Sequence, residues 1–204
     1  IVQTAVTSNS KLNLGETRQK VMHDQSLQTI ATSRLVLKPP ETADATALFQ
    51  AINDWEVIRW LSRVPYPYKK HHAVEFIRRN HECVDNGSAY QFLILFQDKV
   101  EGCVGLDRHE EEFFNLGYWV ARRSWGAGLA TEAVHAIIRF AFENVGEKKI
   151  HAACHDTNVS SAKVLEKNGF GQTGSKQQFS KALGEVVCVR QFALERNAPL
   201  RLQS

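Results

Sequence analysis

A strand that ends in a tight glycine turn and opens straight into a helix constrains a fold more than any composition figure. This chain holds one such passage. Leu116-Gly117-Tyr118-Trp119-Val120 reads as a strand, Arg123-Ser124-Trp125-Gly126-Ala127-Gly128-Leu129-Ala130 as the turn, and Thr131 to Glu143 as the helix. The helix carries apolar residues at 130, 133, 134, 137, 138 and 141, a helical spacing that lays one face on a sheet. Such a turn presents successive backbone N–H groups, the helix N-terminus adds partial positive charge, and glycine lets a diphosphate approach the backbone. An ordinary helix start is the alternative. A dinucleotide fingerprint is excluded because Thr131 stands where its third glycine belongs, and no Gly-x-x-x-x-Gly-Lys-Ser/Thr string exists for a triphosphate loop.

A second passage follows. Lys149 to Cys154 reads as a short strand, His155-Asp156-Thr157-Asn158 as a loop, and Val159 to Asn168 as a helix stopped by Gly169-Phe170. Asn158 suits the N-cap, and Gly169 suits the position after the helix, with Phe170 packing back. Asn158 either caps alone or also faces a ligand lying along the preceding strand.

Taken in order, Arg123-x-x-Gly126-x-Gly128-x-Ala130 and then Asn158-x-x-Ser161 with Gly169-Phe170 resemble the GNAT acetyltransferase superfamily. Within it they resemble the branch of ribosomal-protein N-terminal acetyltransferases. Thr32-Ser33-Arg34-Leu35-Val36-Leu37 is similar to that branch's first strand, and Asn115-Leu116-Gly117-Tyr118-Trp119 to its fourth. The resemblance runs from about Thr32 to about Leu194. It implies an α/β fold: a mixed, mostly antiparallel sheet with flanking helices and splayed parallel central strands. It also implies acetyl-coenzyme A as co-substrate, a primary amine as acceptor, and no metal.

On that resemblance the amides of Arg123, Ser124, Trp125, Gly126, Ala127, Gly128, Leu129 and Ala130 bind the pyrophosphate. A backbone N–H at Trp119 or Val120, exposed by a strand bulge, polarises the thioester carbonyl. Asn158 reaches the pantetheine arm. The family's usual acid, a tyrosine four residues before the glycine of Gly-Phe, is Leu165 here, which leaves Ser161 as the hydroxyl placed to protonate the leaving sulfur. The branch's usual glutamate before Gly-Tyr-Trp is Asn115, which cannot accept a proton but can still face the acceptor. Base candidates are Asp107, His109, Glu110, Glu111, Glu112 and His155, with His109 the better suited to titrate near neutrality. Two vacated positions beside an intact cofactor turn also admit a non-catalytic acyl-coenzyme A-binding module.

The remaining chain is consistent with one such domain. Its 204 residues can bury a sizeable core, and 43% are hydrophobic. Strand patterns cover Arg34 to Lys38, Tyr90 to Phe96, Val100 to Leu106 and Val186 to Leu194. Helix patterns cover Glu41 to Asn53, Trp55 to Leu61 and Ala73 to Asn86. We expect a polar extension over 1–28, the acetyltransferase domain over 29–197 and a tail over 198–204. Trp55 and Trp60 suit core packing, and Trp125 suits packing under the turn. Tyr66 and Tyr68, set among prolines, either wall an acceptor pocket or pin a connection to the core.

Net charge +3, without a basic stripe, argues against nucleic acid. No apolar run of the membrane-spanning or secretory kind is present. Cys83, Cys103, Cys154 and Cys188 have no zinc-ligand spacing and suit free thiols, hence a cytoplasmic protein. The expected partners are the amine acceptor, a peptide or protein N-terminus or a small molecule, and at most a second copy in a homodimer.

Overall fold

The computed structural model describes residues 27–108 and 113–196. Eight strands form one sheet: β1 (Ile30–Ala31), β2 (Leu35–Lys38), β3 (Ala89–Phe96), β4 (Lys99–Asp107), β5 (Phe114–Val120), β6 (Lys149–His155), β7 (Gly171–Ser180) and β8 (Glu185–Glu195). Their order is β1-β2-β3-β4-β5-β6-β8-β7. Every neighbouring pair is antiparallel except β5 and β6, which run parallel. The mixed, mostly antiparallel α/β sheet expected from the sequence is therefore present.

Helices cover both faces. On one lie α4 (Leu129–Phe140) and α5 (Val159–Lys167), whose Leu129, Val134, Ile137, Ile138, Ala162 and Leu165 bury against Phe92, Val104, Leu106, Leu116 and Ile150 of the strands. On the other lie α1 (Ala45–Ile52), α2 (Trp55–Ile58) and α3 (Lys70–Asp85), which share a core with Leu93, Val100 and Ala121. Alternation along each strand feeds the two cores: in β5, Phe114, Leu116 and Val120 enter the first and Trp119 borders the second. The helix read over Thr131 to Glu143 starts two residues sooner, at Leu129, and finishes as a π turn over Ala141–Val145. Its end is closed by Gly146 at φ 83°.

Two expectations need correction, and one open choice narrows. The strand β7 was not foreseen: its Gly-Gln-Thr-Gly-Ser-Lys-Gln-Gln run is exposed along nearly its whole length at the sheet's edge, so it carries no apolar alternation. Of its two readings, Tyr68 by position fits the pin to the core. It is 8% exposed in the second core, stacked on Phe49, and burial pushes its hydroxyl up to about 12. Trp55 and Trp60 are half-buried surface residues rather than core, with Trp55 set edge-on against the exposed Tyr66.

Candidate active site

The parallel pairing of β5 and β6 lasts only from Phe114↔Ile150 through Leu116↔Ala152. Beyond that point the strands part, leaving a gap bounded by 117–120 on one side and 153–155 on the other. The gap is open on the face away from α4 and α5. Ala153 is exposed although its strand lies inside the sheet, and a Cβ built on Gly117 would meet nothing within 4 Å. The splay implied by the family resemblance is thus a feature of this chain.

The expected bulge is not in β5, which pairs with β4 in unbroken register. It lies one strand over. The β3–β4 register steps between Ile94 and Leu95, and Glu101 is the extra residue. Ala121 N–H donates to the Glu101 carbonyl at 2.7 Å, and the Trp119 carbonyl abuts Gly102. By the alternation of an antiparallel ladder, Trp119 turns its peptide groups to β4, whereas Tyr118 and Val120 turn theirs toward the gap. Of the two amides named from the sequence, Val120 is the one that faces it.

The glycine turn follows β5. Gly126 and Gly128 both take φ 77°, the left-handed region that a side chain resists. The amides of Ser124 and Trp125 are consumed by Ala121 and Arg122 carbonyls at 2.9 and 3.2 Å. Among the described residues, the amides of Gly126, Ala127, Gly128, Leu129, Ala130 and Thr131 donate to no acceptor. Six successive N–H groups at the positive end of α4 are therefore left without an acceptor, a set of donors chemically suited to an anion.

Two carboxylates hold this turn, and neither announced itself in the sequence. Glu101, 5% exposed, accepts from Arg123 Nε at 3.0 Å and Ser124 Oγ at 2.7 Å, while Arg123 Nη2 donates to the Val100 carbonyl at 2.8 Å. The side chains of Arg123 and Ser124 thus brace the turn from behind. Glu132, in the first turn of α4, accepts from Thr32 Oγ1 (2.6 Å), Ser33 Oγ (2.9 Å), the Arg34 amide (2.9 Å) and Arg34 Nε (2.7 Å). Burial alone would raise its pKa, but the bonds from Thr32, Arg34 and Ser33 outweigh it and push the group down to about 2. Arg34 also donates to the Ala127 carbonyl at 2.9 Å. Trp125 does not pack under the turn. It is 48% exposed, fastened by its indole N–H to the Val120 carbonyl at 2.8 Å.

The far side of the gap is built by the β6–α5 junction. Asn158 caps α5, its side-chain oxygen accepting from the Ser161 amide at 3.0 Å, so its NH2 is what remains to meet a ligand. Ser161 Oγ lies 2.8 Å from the Tyr118 hydroxyl, which donates to the Ser161 carbonyl at 2.9 Å. Tyr118 links the two sides, and burial raises its pKa so that it stays protonated. Cys154 meets both Ser161 and Arg190; burial raises its thiol against their opposing pull.

On the open face, Asp107, Asn115 and His151 form a row across three strands at the point where β5 and β6 part. Asp107 is held bidentately by Arg63 at 2.8 and 2.6 Å. Beyond the row, His155 stands at the end of β6 with Trp60 against its ring, centroids 5.3 Å apart. His109, Glu110, Glu111 and Glu112 lie outside the described residues. Sequence spacing could not have paired Tyr118 with Ser161 or Trp60 with His155, because only the sheet brings them together.

The family described as acetyltransferase (GNAT) domain matches residues 34–171. An uncharacterized N-acetyltransferase, p20, of Bacillus licheniformis is 30% identical over 82% of this chain and 96% of its own length. A ribosomal-protein-serine acetyltransferase of Escherichia coli (strain K12) is 27% identical over 45% of this chain and 52% of its own. Among solved structures, the ribosomal L7/L12 alpha-N-protein acetyltransferase RimL in complex with coenzyme A superposes with a TM-score of 0.76 at 19% identity. That match covers 84% of this chain and 99% of the other.

Proposed function

The chain belongs to the GNAT acetyltransferase family, and from that premise we propose that it transfers acetyl from acetyl-coenzyme A to a primary amine by direct attack on the thioester. The observation that carries this reading is the set of six undonated amides from Gly126 to Thr131 beside the parted strands. The pyrophosphate sits on those amides. The pantetheine arm, which itself bears amides, lies in the gap against β5 and β6, where the Asn158 NH2 meets it. The slot-facing amide of Val120 stabilises the oxyanion that forms as the thioester carbonyl is attacked. Ser161, hydrogen-bonded to Tyr118, donates a proton to the departing sulfur. No step calls for a metal.

A protein or peptide N-terminus is the acceptor class we favour over a small amine. The E. coli relative and the RimL structure are both named for acetylating ribosomal proteins. The four free cysteines suit a reducing cytoplasm. One observation favours a second reading, a binding module without turnover: Leu165 is fully buried in the core and Asn115 cannot act as a base.

The test is a thermal-shift series with acetyl-coenzyme A, coenzyme A, ATP and NAD, run beside Gly126→Glu. A ligand at about 100 times its Kd adds roughly 2.7 kcal/mol to stability. Stabilisation by the two coenzyme A species alone, lost in Gly126→Glu, is the expected result. Equal stabilisation of the variant overturns the assignment of the turn. Thiol release with short peptides bearing free serine or alanine N-termini then separates the enzyme from the module.

A further inference from the structure

The proposed reaction still lacks a base. An amine at neutral pH carries a proton that must leave before nitrogen can attack. The row at the strand junction is poorly suited to take it: Asn115 has no basic atom, both Asp107 oxygens are engaged by the Arg63 guanidinium, and His151 sits on a paired rung before the gap opens.

His155 is placed differently. It is the last residue of β6, past the junction, where the gap has opened. Strand alternation puts it on the open face with Ala153, opposite its neighbour Cys154, which meets Ser161 from the α5 side. The leaving sulfur near Ser161 and an acceptor arriving over Ala153 and Gly117 therefore lie on either side of the same short stretch of strand. The ring is also held. Trp60 meets it at an interplanar angle of 76°, Thr157 Oγ1 lies 2.9 Å from Nδ1, and Asp156 Oδ1 lies 3.0 Å from the same atom. The Thr157 amide also approaches Nδ1, at 3.5 Å. With Nδ1–H donated to Thr157 Oγ1, the lone pair rests on Nε2, the tautomer a base requires, and Asp156 stands beside Nδ1 to steady the ring once it is charged. The side chain keeps 19% exposure, enough to return a proton to water.

We propose that His155 is the general base of the reaction, with Asp156 as its positioning residue; this rests on the acetyl-transfer reading above. Nε2 takes one proton from the acceptor ammonium. The free amine then forms the C–N bond at the thioester carbonyl carbon, and the C–S bond breaks as the oxyanion collapses. The second nitrogen proton offsets the one that Ser161 gives to sulfur, and His155 releases the first to solvent. Charged groups near the ring include Asp156 and Arg59, whose guanidinium lies over the Trp60 ring at 4.8 Å from its centroid.

The test compares wild type with His155→Gln and His155→Ala, using acetyl-coenzyme A and two acceptors. One is the best of the serine and alanine peptides; the other is hydroxylamine, which is already unprotonated at neutral pH. His155→Gln should lower kcat/KM for the peptide about 100-fold at pH 7. The deficit should shrink as pH rises and the peptide amine deprotonates unaided. Hydroxylamine turnover and the thermal shift with acetyl-coenzyme A should stay within about twofold of wild type, as a merely structural role would not predict. Added imidazole should restore part of the His155→Ala rate. Asp156→Asn should give a smaller loss with the same acceptor dependence. Peptide turnover in His155→Gln equal to wild type across the pH range overturns the proposal, as does an equal loss with both acceptors. Wild type failing with every amine would instead sink the acetyl-transfer reading.

Discussion

Glu132→Gln is the substitution whose consequences the structure specifies most fully. The carboxylate accepts four hydrogen bonds from Thr32, Ser33 and Arg34, and its side chain is 16% exposed. Those bonds take its pKa from 4.5 to about 2 in the folded protein, against the pull of burial. Because the folded value lies below the unfolded one, the stabilisation is complete above about pH 4.5 and is lost as pH falls toward 2. A shift of that size is worth at most about 3 kcal/mol at neutral pH. Screening around the half-exposed Arg34 reduces it to on the order of 1–2 kcal/mol.

Glutamine keeps the shape but not the charge, and it also removes an anion from the first turn of α4. For a chain of this size the variant should melt about 2–8 °C below wild type at pH 7. Denaturant unfolding of both proteins at pH 7, 5.5, 4.5 and 3.5 supplies the decisive comparison. The stability gap should hold constant down to about pH 5, with roughly two-fifths or more of it gone at pH 3.5. A gap that does not depend on pH over that range, or the absence of one at pH 7, would refute this account of the cluster.

Three further substitutions separate bracing from chemistry. Glu101→Gln should cost about 1–3 kcal/mol in denaturant unfolding and weaken acetyl-coenzyme A binding by calorimetry, because Arg123 and Ser124 lose the group that sets the turn; an unchanged Kd would show that the turn holds its own shape. Ser161→Ala should reduce kcat about tenfold with little change in acetyl-coenzyme A affinity, and Tyr118→Phe should reduce it less. Turnover unchanged in Ser161→Ala makes the serine structural.

Local chemistry was legible from sequence. Gly126 and Gly128 take the left-handed backbone their turn requires, Asn158 caps, and Gly169 closes α5, its amide on the Glu166 carbonyl while Phe170 reaches Leu165. Each depends on neighbours within a few residues. The strands β3, β4 and β8 were visible because burial forces apolar runs on them, whereas β7, wet on both faces, has no such pattern. What stayed hidden depends on partners distant in the chain. Arg34 meets Glu132, Glu101 meets Arg123, Tyr118 meets Ser161, and Trp60 meets His155. The bulge belongs to this class too. A bulge was expected in β5, yet the extra residue that shapes the region sits on β4.

The brevity of the β5–β6 pairing has a mechanical consequence. With only three rungs joining them, the eight strands amount to two leaves, five strands wide on one side and three on the other. The glycine turn is carried by the wider leaf and the Asn158–Ser161 junction by the narrower. The side chains at the rungs, Phe114 and Leu116 against Ile150 and Ala152, therefore act as the spine of a book, and their bulk sets how far it opens. Ala152 is the smallest of the four. Enlarging it would change the gauge of the slot while touching none of the groups that line it, which makes the spine a place to tune this catalyst from beneath.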